Sequence, residues 1–314
     1  PREIRLRGCD ILLSCDAGTI GSHQPSVVLS QDLLSYEPGE MRRFGISKAR
    51  IRLILLRYIQ ARSLKRATAA IFLTHYAARI IQKFTGPLSR IAVIPHGVGE
   101  SFRHDGRRRD WPAPGAEIRC LYVSNTEMYK HQWHVVRAIG ELRRRGHNVS
   151  LTLAGGGSGP AQHLLNAEIE RTDPNRQFIK DIGAVPHDGI PGLLTEADLF
   201  VFASSCENMP VTLIEAMASG VPIASSNRGP MPEVLANGGV YFDPEDPLSI
   251  AEAVGKIVTE SGLRREIAAQ GARLARQYSW ERCAAETWAF LRDNSPAWQA
   301  GPAVAAKPPF METE

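Results

Sequence analysis

No run of 18 apolar residues occurs in the 314-residue chain, so no membrane-spanning helix is expected. Residues 1–7, P-R-E-I-R-L-R, carry no secretory pattern, and a cytoplasmic protein, or one whose start has been lost, is expected. The five cysteines, Cys9, Cys15, Cys120, Cys206 and Cys283, are scattered and odd in number, which excludes a disulfide framework and a CxxC zinc site. There is no Asp-x-Asp pair, and His131, His134, His147, His163 and His187 lack ligand spacing, so no metal is expected. Gly155-Gly156-Gly157-Ser158-Gly159 is not a G-x-G-x-x-G running into a helix; a nicotinamide-linked oxidoreductase is disfavoured, and a tight turn accounts equally well for those glycines.

What is present is a charge asymmetry. Residues 1–110 hold 19 Lys and Arg against 9 Asp and Glu, a net of +10, within a chain whose total is only +4. The basic stretch at residues 42–66 interleaves nine Lys and Arg with Ile51, Leu53, Ile54, Leu55, Leu56, Ile59 and Leu64, and reads as a basic amphipathic helix. Such a helix is a domain element with a solvated basic face, or one that docks on an anionic membrane surface. No recognition motif accompanies the charge, so nucleic acid is not an expected partner.

The chain is organised around residues 201–225. An apolar strand at 199–203 is followed by a polar loop at 204–210, a helix at 211–219, Gly220 as C-cap and a strand at 221–225. A polar loop between a parallel strand and a helix N-terminus is where open α/β sheets bind ligands, and the helix end offers N–H groups to an anion. Glu207 and Glu215 bracket that loop. They are followed by Ala216, Met217, Ala218, Gly220 and Pro222. This spacing resembles the signature of the large GT4 family of GT-B glycosyltransferases.

The resemblance implies an α/β protein of GT-B type: two Rossmann-like domains with parallel sheets facing a cleft. It also implies sugar transfer from a nucleoside-diphosphate sugar to a hydroxyl acceptor, with retention at the anomeric carbon and no cofactor. Glu215 is expected on the ribose hydroxyls, Glu207 near the donor sugar, and Lys130 on the diphosphate. The family's arginine position is occupied by Asn125. Gly157 is expected beside the donor and Val185 against the base. The backbone of Met209, Pro210, Val211 and Thr212 is expected to border the diphosphate, with N–H groups of that stretch facing it. A nucleotide-sugar-binding protein without transferase activity is the alternative.

Residues 1–105 resemble the later part of the family's acceptor-side domain, closing with I-P-H-G-V at residues 94–98. The triplet Gln31-Asp32-Leu33 puts a glutamine where the family often has a histidine. Gln31 is the first-domain candidate at the reacting centre, with Asp32 and His96 behind it. The strands and glycine-rich loop that open this domain in the family have no counterpart here, so the first domain is expected to be truncated, with a missing segment or a partner completing its sheet. Residues 99–117 read as a linker, residues 106–293 as a complete nucleotide-sugar domain with terminal helices, and residues 294–314 as a disordered tail. The acceptor is expected to be lipid-linked, a polysaccharide or another hydroxyl compound, an anionic one matching the basic first domain.

Overall fold

Short apolar runs punctuated by glycine, proline and serine fold into the strands of two parallel sheets. The computed structural model describes residues 9–18, 23–103 and 110–299. The first sheet has the order β1 (Leu12–Ser14), β2 (Ser26–Leu29), β3 (Ala69–Phe72), β4 (Ile91–Val93). Its helices are α1 (Lys48–Arg66) and α2 (His75–Thr85). Ser47 caps α1 by accepting from the Arg50 N–H, and Thr74 caps α2 by accepting from the Ala77 N–H.

The second unit alternates β5 (Ile118–Val123), α3 (Gln132–Arg144), β6 (Val149–Ala154), α4 (Pro160–Thr172), β7 (Ile179–Asp181), α5 (Ile190–Glu196), β8 (Leu199–Phe202), α6 (Val211–Ala218), β9 (Ile223–Ser226), α7 (Met231–Leu235) and β10 (Val240–Phe242). Helices α8 (Pro247–Thr259), α9 (Ser261–Ala275), α10 (Trp280–Asp293) and α11 (Pro296–Gln299) follow. The sheet runs β10-β9-β8-β5-β6-β7, so the winding reverses between β5 and β8. That reversal opens a crevice at the carboxyl ends of those two strands. Every residue of β8 is buried, as a central parallel strand covered on both faces requires.

Three expectations change. The basic stretch is not one helix: Gly45 adopts φ +53° and α1 starts afresh at Lys48. Apolar and basic residues also share its outer face, where Ile51, Leu55 and Tyr58 are exposed. Second, α10, placed by sequence with the second unit, returns to the first sheet, where Leu291, Phe290 and Cys283 pack with Val27, Ala69, Ile71 and Ile94. Gly97 permits this crossing, since a Cβ there would lie 2.2 Å from the Trp280 nitrogen. Third, the chain does not lose order at Asn294. Asn294 and Ser295 are buried, and the Trp298 ring stacks on Trp288 at 6.4 Å. The remainder of the expected tail, and linker residues 104–109, lie outside the described residues.

On the flank of the second unit Glu168 accepts from Arg137 at 2.7 Å and from Thr172 at 2.9 Å, and pairs with Arg171. Burial alone would raise its pKa, but the hydrogen bonds from Arg137, Arg171 and Thr172 outweigh it and bring the value from 4.5 down to about 2. A carboxylate with a depressed folded pKa contributes stability that is present above the unfolded value and lost as pH falls through the folded one. Melting temperature is therefore expected to fall between pH 4.5 and about 2 more steeply in the parent than in Glu168→Gln, measured by circular dichroism.

Candidate active site

The loops leaving β5 and β8, the two strands flanking the reversal, carry Lys130 and Glu207. Lys130 ends a 3-10 turn (Met128–Lys130), and its Nζ is ion-paired with Glu207 Oε1. The two loops are stitched together beneath that pair. Tyr122 Oη donates to the Lys130 carbonyl at 2.6 Å, and the Ser205 N–H donates to the Tyr129 carbonyl at 2.8 Å. The ammonium lies 5.1 Å from the Tyr129 ring centre and 5.7 Å from that of Phe202, so aromatic faces add to the carboxylate in holding the charge. Side-chain exposures of 9% and 15% make this a largely desolvated pair, in which each charge depends on the other.

Glu215, on α6, is 3% exposed. Burial raises its pKa, and the hydrogen bond with His187 opposes that rise. His187 Nε2 lies 2.9 Å from Glu215 Oε1, while the imidazole side chain is 74% exposed and rests against the Phe102 ring at 5.1 Å. Sequence reasoning treated His187 only as a histidine without ligand spacing. The available signal was its place at the head of a 3-10 turn (His187–Gly189) after β7, on the same sheet edge as Val185.

Asn125, Gly157 and Val185 line that edge at the ends of β5, β6 and β7. Asn125 is exposed and Val185 half-buried. The Thr126 N–H donates to the Gly156 carbonyl at 2.8 Å, and Thr126 pairs with Gly157 in an isolated bridge. A Cβ at Gly155 would lie 2.1 Å from the Ser124 carbonyl oxygen, and one at Gly157 would lie 2.8 Å from Thr126. Close backbone approach therefore accounts for these glycines.

The start of α6 offers fewer donors than expected. Pro210 has no N–H, and the Val211 N–H is taken by the Met209 carbonyl at 2.9 Å. The proline carbonyl in turn accepts from Leu213 at 3.0 Å and Ile214 at 3.2 Å. Met209 and Thr212 are the two of those four residues whose N–H groups have no acceptor among the described residues.

Among the described residues no hydrogen bond joins Gln31 to the Lys130–Glu207 pair; its amide donates to the Cys15 carbonyl at 2.8 Å, in the loop after β1. Asp32 accepts from the Leu34 N–H at 3.0 Å, and the His96 ring packs on Trp280 at 5.3 Å. Other first-unit groups reach the signature loop. Asn208 donates through Nδ2 to the Ser30 carbonyl at 3.1 Å and accepts at its own carbonyl from Thr74 Oγ1 at 3.0 Å. Ser205 Oγ donates to Glu40 Oε1 at 2.7 Å. Arg43 joins Glu40 to Glu245, with 2.8 Å to each. The Glu233 carboxylate accepts from the His75 and Tyr76 N–H groups, both at 2.7 Å, so the second unit caps α2 of the first. His131 lies beneath Ser205, its Nε2 2.9 Å from Ser205 Oγ; burial and then Arg43 push its pKa down to about 3, so the ring is neutral. Among the described residues no three His, Cys, Asp or Glu side chains gather as a metal site.

Two Rossmann-like parallel-sheet units, the first smaller, with a crevice at the mouth of the second sheet, define a GT-B-type fold. The chain superposes on sucrose-phosphate synthase from Thermosynechococcus elongatus with a TM-score of 0.77 at 17% identity, covering 93% of this chain and 75% of that one. It superposes on Anabaena Alr3699/HepE in complex with UDP and glucose with a TM-score of 0.72 at 17% identity, covering 92% and 80%. The chain belongs to the glycosyl transferases group 1 family, whose profile matches residues 105–274. Among curated relatives, the O-antigen chain mannosyltransferase B of Escherichia coli is 34% identical over 168 residues, 54% of this chain and 44% of the relative. The chain spans about half the length of the first curated relatives it matches.

Proposed function

We propose that this protein transfers a glycosyl group from a nucleoside-diphosphate sugar to a hydroxyl acceptor, in the manner of the GT4 enzymes and with retention. The observation that carries the reading is the Lys130–Glu207 pair at the winding reversal, with Glu215 on the helix that follows. In this reading the donor diphosphate takes over Lys130, and the N–H groups of Met209 and Thr212 add to the positive field. The departing diphosphate gains negative charge in the transition state, which a preplaced ammonium and N–H dipoles stabilise. Glu207, released from the lysine, faces the donor sugar. Glu215 accepts from the ribose hydroxyls with His187 orienting it, Gly157 lies beside the donor, Val185 borders the base, and Asn125 supplies a neutral hydrogen-bond donor. No metal is assigned a step. The UDP and glucose held by the Anabaena protein support a nucleotide-sugar ligand of this kind.

The same pair favours a second reading, a nucleotide-sugar-binding protein without turnover, because Lys130 is already neutralised by Glu207. We assign the protein to the cytoplasmic side of a membrane and its acceptor to the lipid-linked or polysaccharide class. Among the described residues the first sheet ends at β1, three residues long, and that edge is where a further segment or partner strand would add.

A thermal-shift screen of UDP-, GDP-, ADP- and dTDP-sugars tests the reading. A matching donor at about 100 times its Kd is expected to stabilise the protein by about 2.7 kcal/mol. Release of nucleoside diphosphate on adding acceptor then separates transfer from binding alone, and absence of any shift across the screen would remove both readings.

A further inference from the structure

We infer that the outer face of α1 is a docking surface for an anionic lipid bilayer. The inference rests on α1 and its surroundings and not on the transferase reading, so the two can fail separately. Residues 48, 51, 52, 55, 58, 59, 62, 65 and 66 recur at helical spacing and form one stripe. All nine are exposed: Lys48, Ile51, Arg52, Leu55, Tyr58, Ile59, Arg62, Lys65 and Arg66. Ile46, just ahead of the Ser47 cap, is fully exposed as well. The opposite face is the packed one, where Gln60, Ala61, Ser63 and Leu64 are buried and the Arg57 guanidinium lies 4.6 Å from the Phe84 ring centre.

A helix face that packs on its own domain keeps its large apolar residues inward, and a face that only meets water has little use for isoleucine and leucine. This stripe offers both chemistries together, apolar side chains long enough to enter the acyl boundary and cations level with the phosphates. Charge selects the occupant. No Asp or Glu occurs between Glu40 and Glu100, so nothing in that stretch opposes an anionic surface, and neighbouring α2 adds exposed Arg79 and Lys83. A protein partner would need a row of acids interrupted by pockets for each apolar residue. A bilayer supplies both along its whole plane.

The placement also has a direction. The 3-10 turn immediately before α1, Glu40–Phe44, is the segment that binds the second unit through Ser205 and Glu245. The leading end of α1 therefore stands at the junction of the two units, and docking would bring that junction to the headgroup plane, where an acceptor anchored in the same bilayer could reach it.

The test is flotation of the full chain with phosphatidylcholine vesicles and with vesicles that also contain phosphatidylglycerol, at low and high salt. Flotation is expected only with phosphatidylglycerol and is expected to fall at high salt. Each basic residue near an anionic surface contributes about fivefold in partitioning, so Arg52→Gln with Arg62→Gln should lower it about 25-fold. Ile51→Ser with Leu55→Ser should lower it at least tenfold at either salt by removing the inserted part. Lys180→Gln, exposed on β7 of the other unit, should change nothing. Unchanged melting of both double variants guards against misfolding. Equal flotation on phosphatidylcholine alone, or undiminished binding by both double variants, overturns the inference. So does conversion of a dimer to a monomer by Ile51→Ser with Leu55→Ser in light scattering, which would assign the stripe to a second copy of this chain.

Discussion

Lys130→Met is expected to lower kcat by about 10²- to 10³-fold, the usual effect of removing one preplaced stabiliser of developing negative charge. The variant has a second consequence, because it leaves Glu207 desolvated without its partner. Breaking a buried pair from one side costs about 3–5 kcal/mol, so the protein should also melt at a lower temperature. Adding Glu207→Gln separates the two effects. The double variant has no orphaned charge, and its melting temperature should return most of the way to the parent's while its turnover stays as low as that of Lys130→Met or lower. Steady-state kinetics and melting curves on the same preparations decide it. Restored turnover in the double variant would show that Lys130 serves the fold and not the leaving diphosphate.

Glu215→Ala is expected to act on donor binding. A hydrogen bond to a charged acceptor contributes about 1.5–3 kcal/mol, so losing it to a ribose hydroxyl should raise the donor Kd by about 10- to 100-fold, measured by titration calorimetry, with a smaller change in kcat. Stability should move the other way. Burial raises the Glu215 pKa above its ordinary value, with His187 opposing the shift, so the ionised side chain costs folding free energy once pH exceeds the unfolded value. That cost is absent at lower pH, grows as pH rises from the unfolded toward the folded value, and is then constant. Glu215→Gln should therefore gain stability over the parent across that window, and the parent's donor affinity should weaken as pH falls through it. A variant that binds donor worse but melts no lower is the pattern of a residue kept for its ligand.

The second sheet was the part most legible in the sequence. β8 (Leu199–Phe202) and α6 (Val211–Ala218) each lie within one residue of the strand at 199–203 and the helix at 211–219 read from the sequence, because a polar loop separates them and Gly220 closes the helix. Lys130 and Glu207 are expected around one donor through the resemblance to the GT4 signature; parallel topology puts both loops on the carboxyl edge of the sheet, and the strand order of the folded protein makes them neighbours. The missed features depend on contacts between distant segments. His187 meets Glu215 across 28 positions, and no local pattern marks that encounter. The return of α10 to the first sheet is set by Leu291, Phe290 and Cys283, which satisfy a helix periodicity equally well against either unit. The short supply of N–H groups at the head of α6 was readable in Pro210 itself, whose missing donor follows from its ring.

Glu233 makes one half of the molecule part of the other half's secondary structure, since the first turn of α2 is completed by a carboxylate from α7. Prising the halves apart would fray a helix as well as widen a crevice. Amide exchange at His75 and Tyr76 should therefore report on every opening of the molecule, at the rate at which the halves separate.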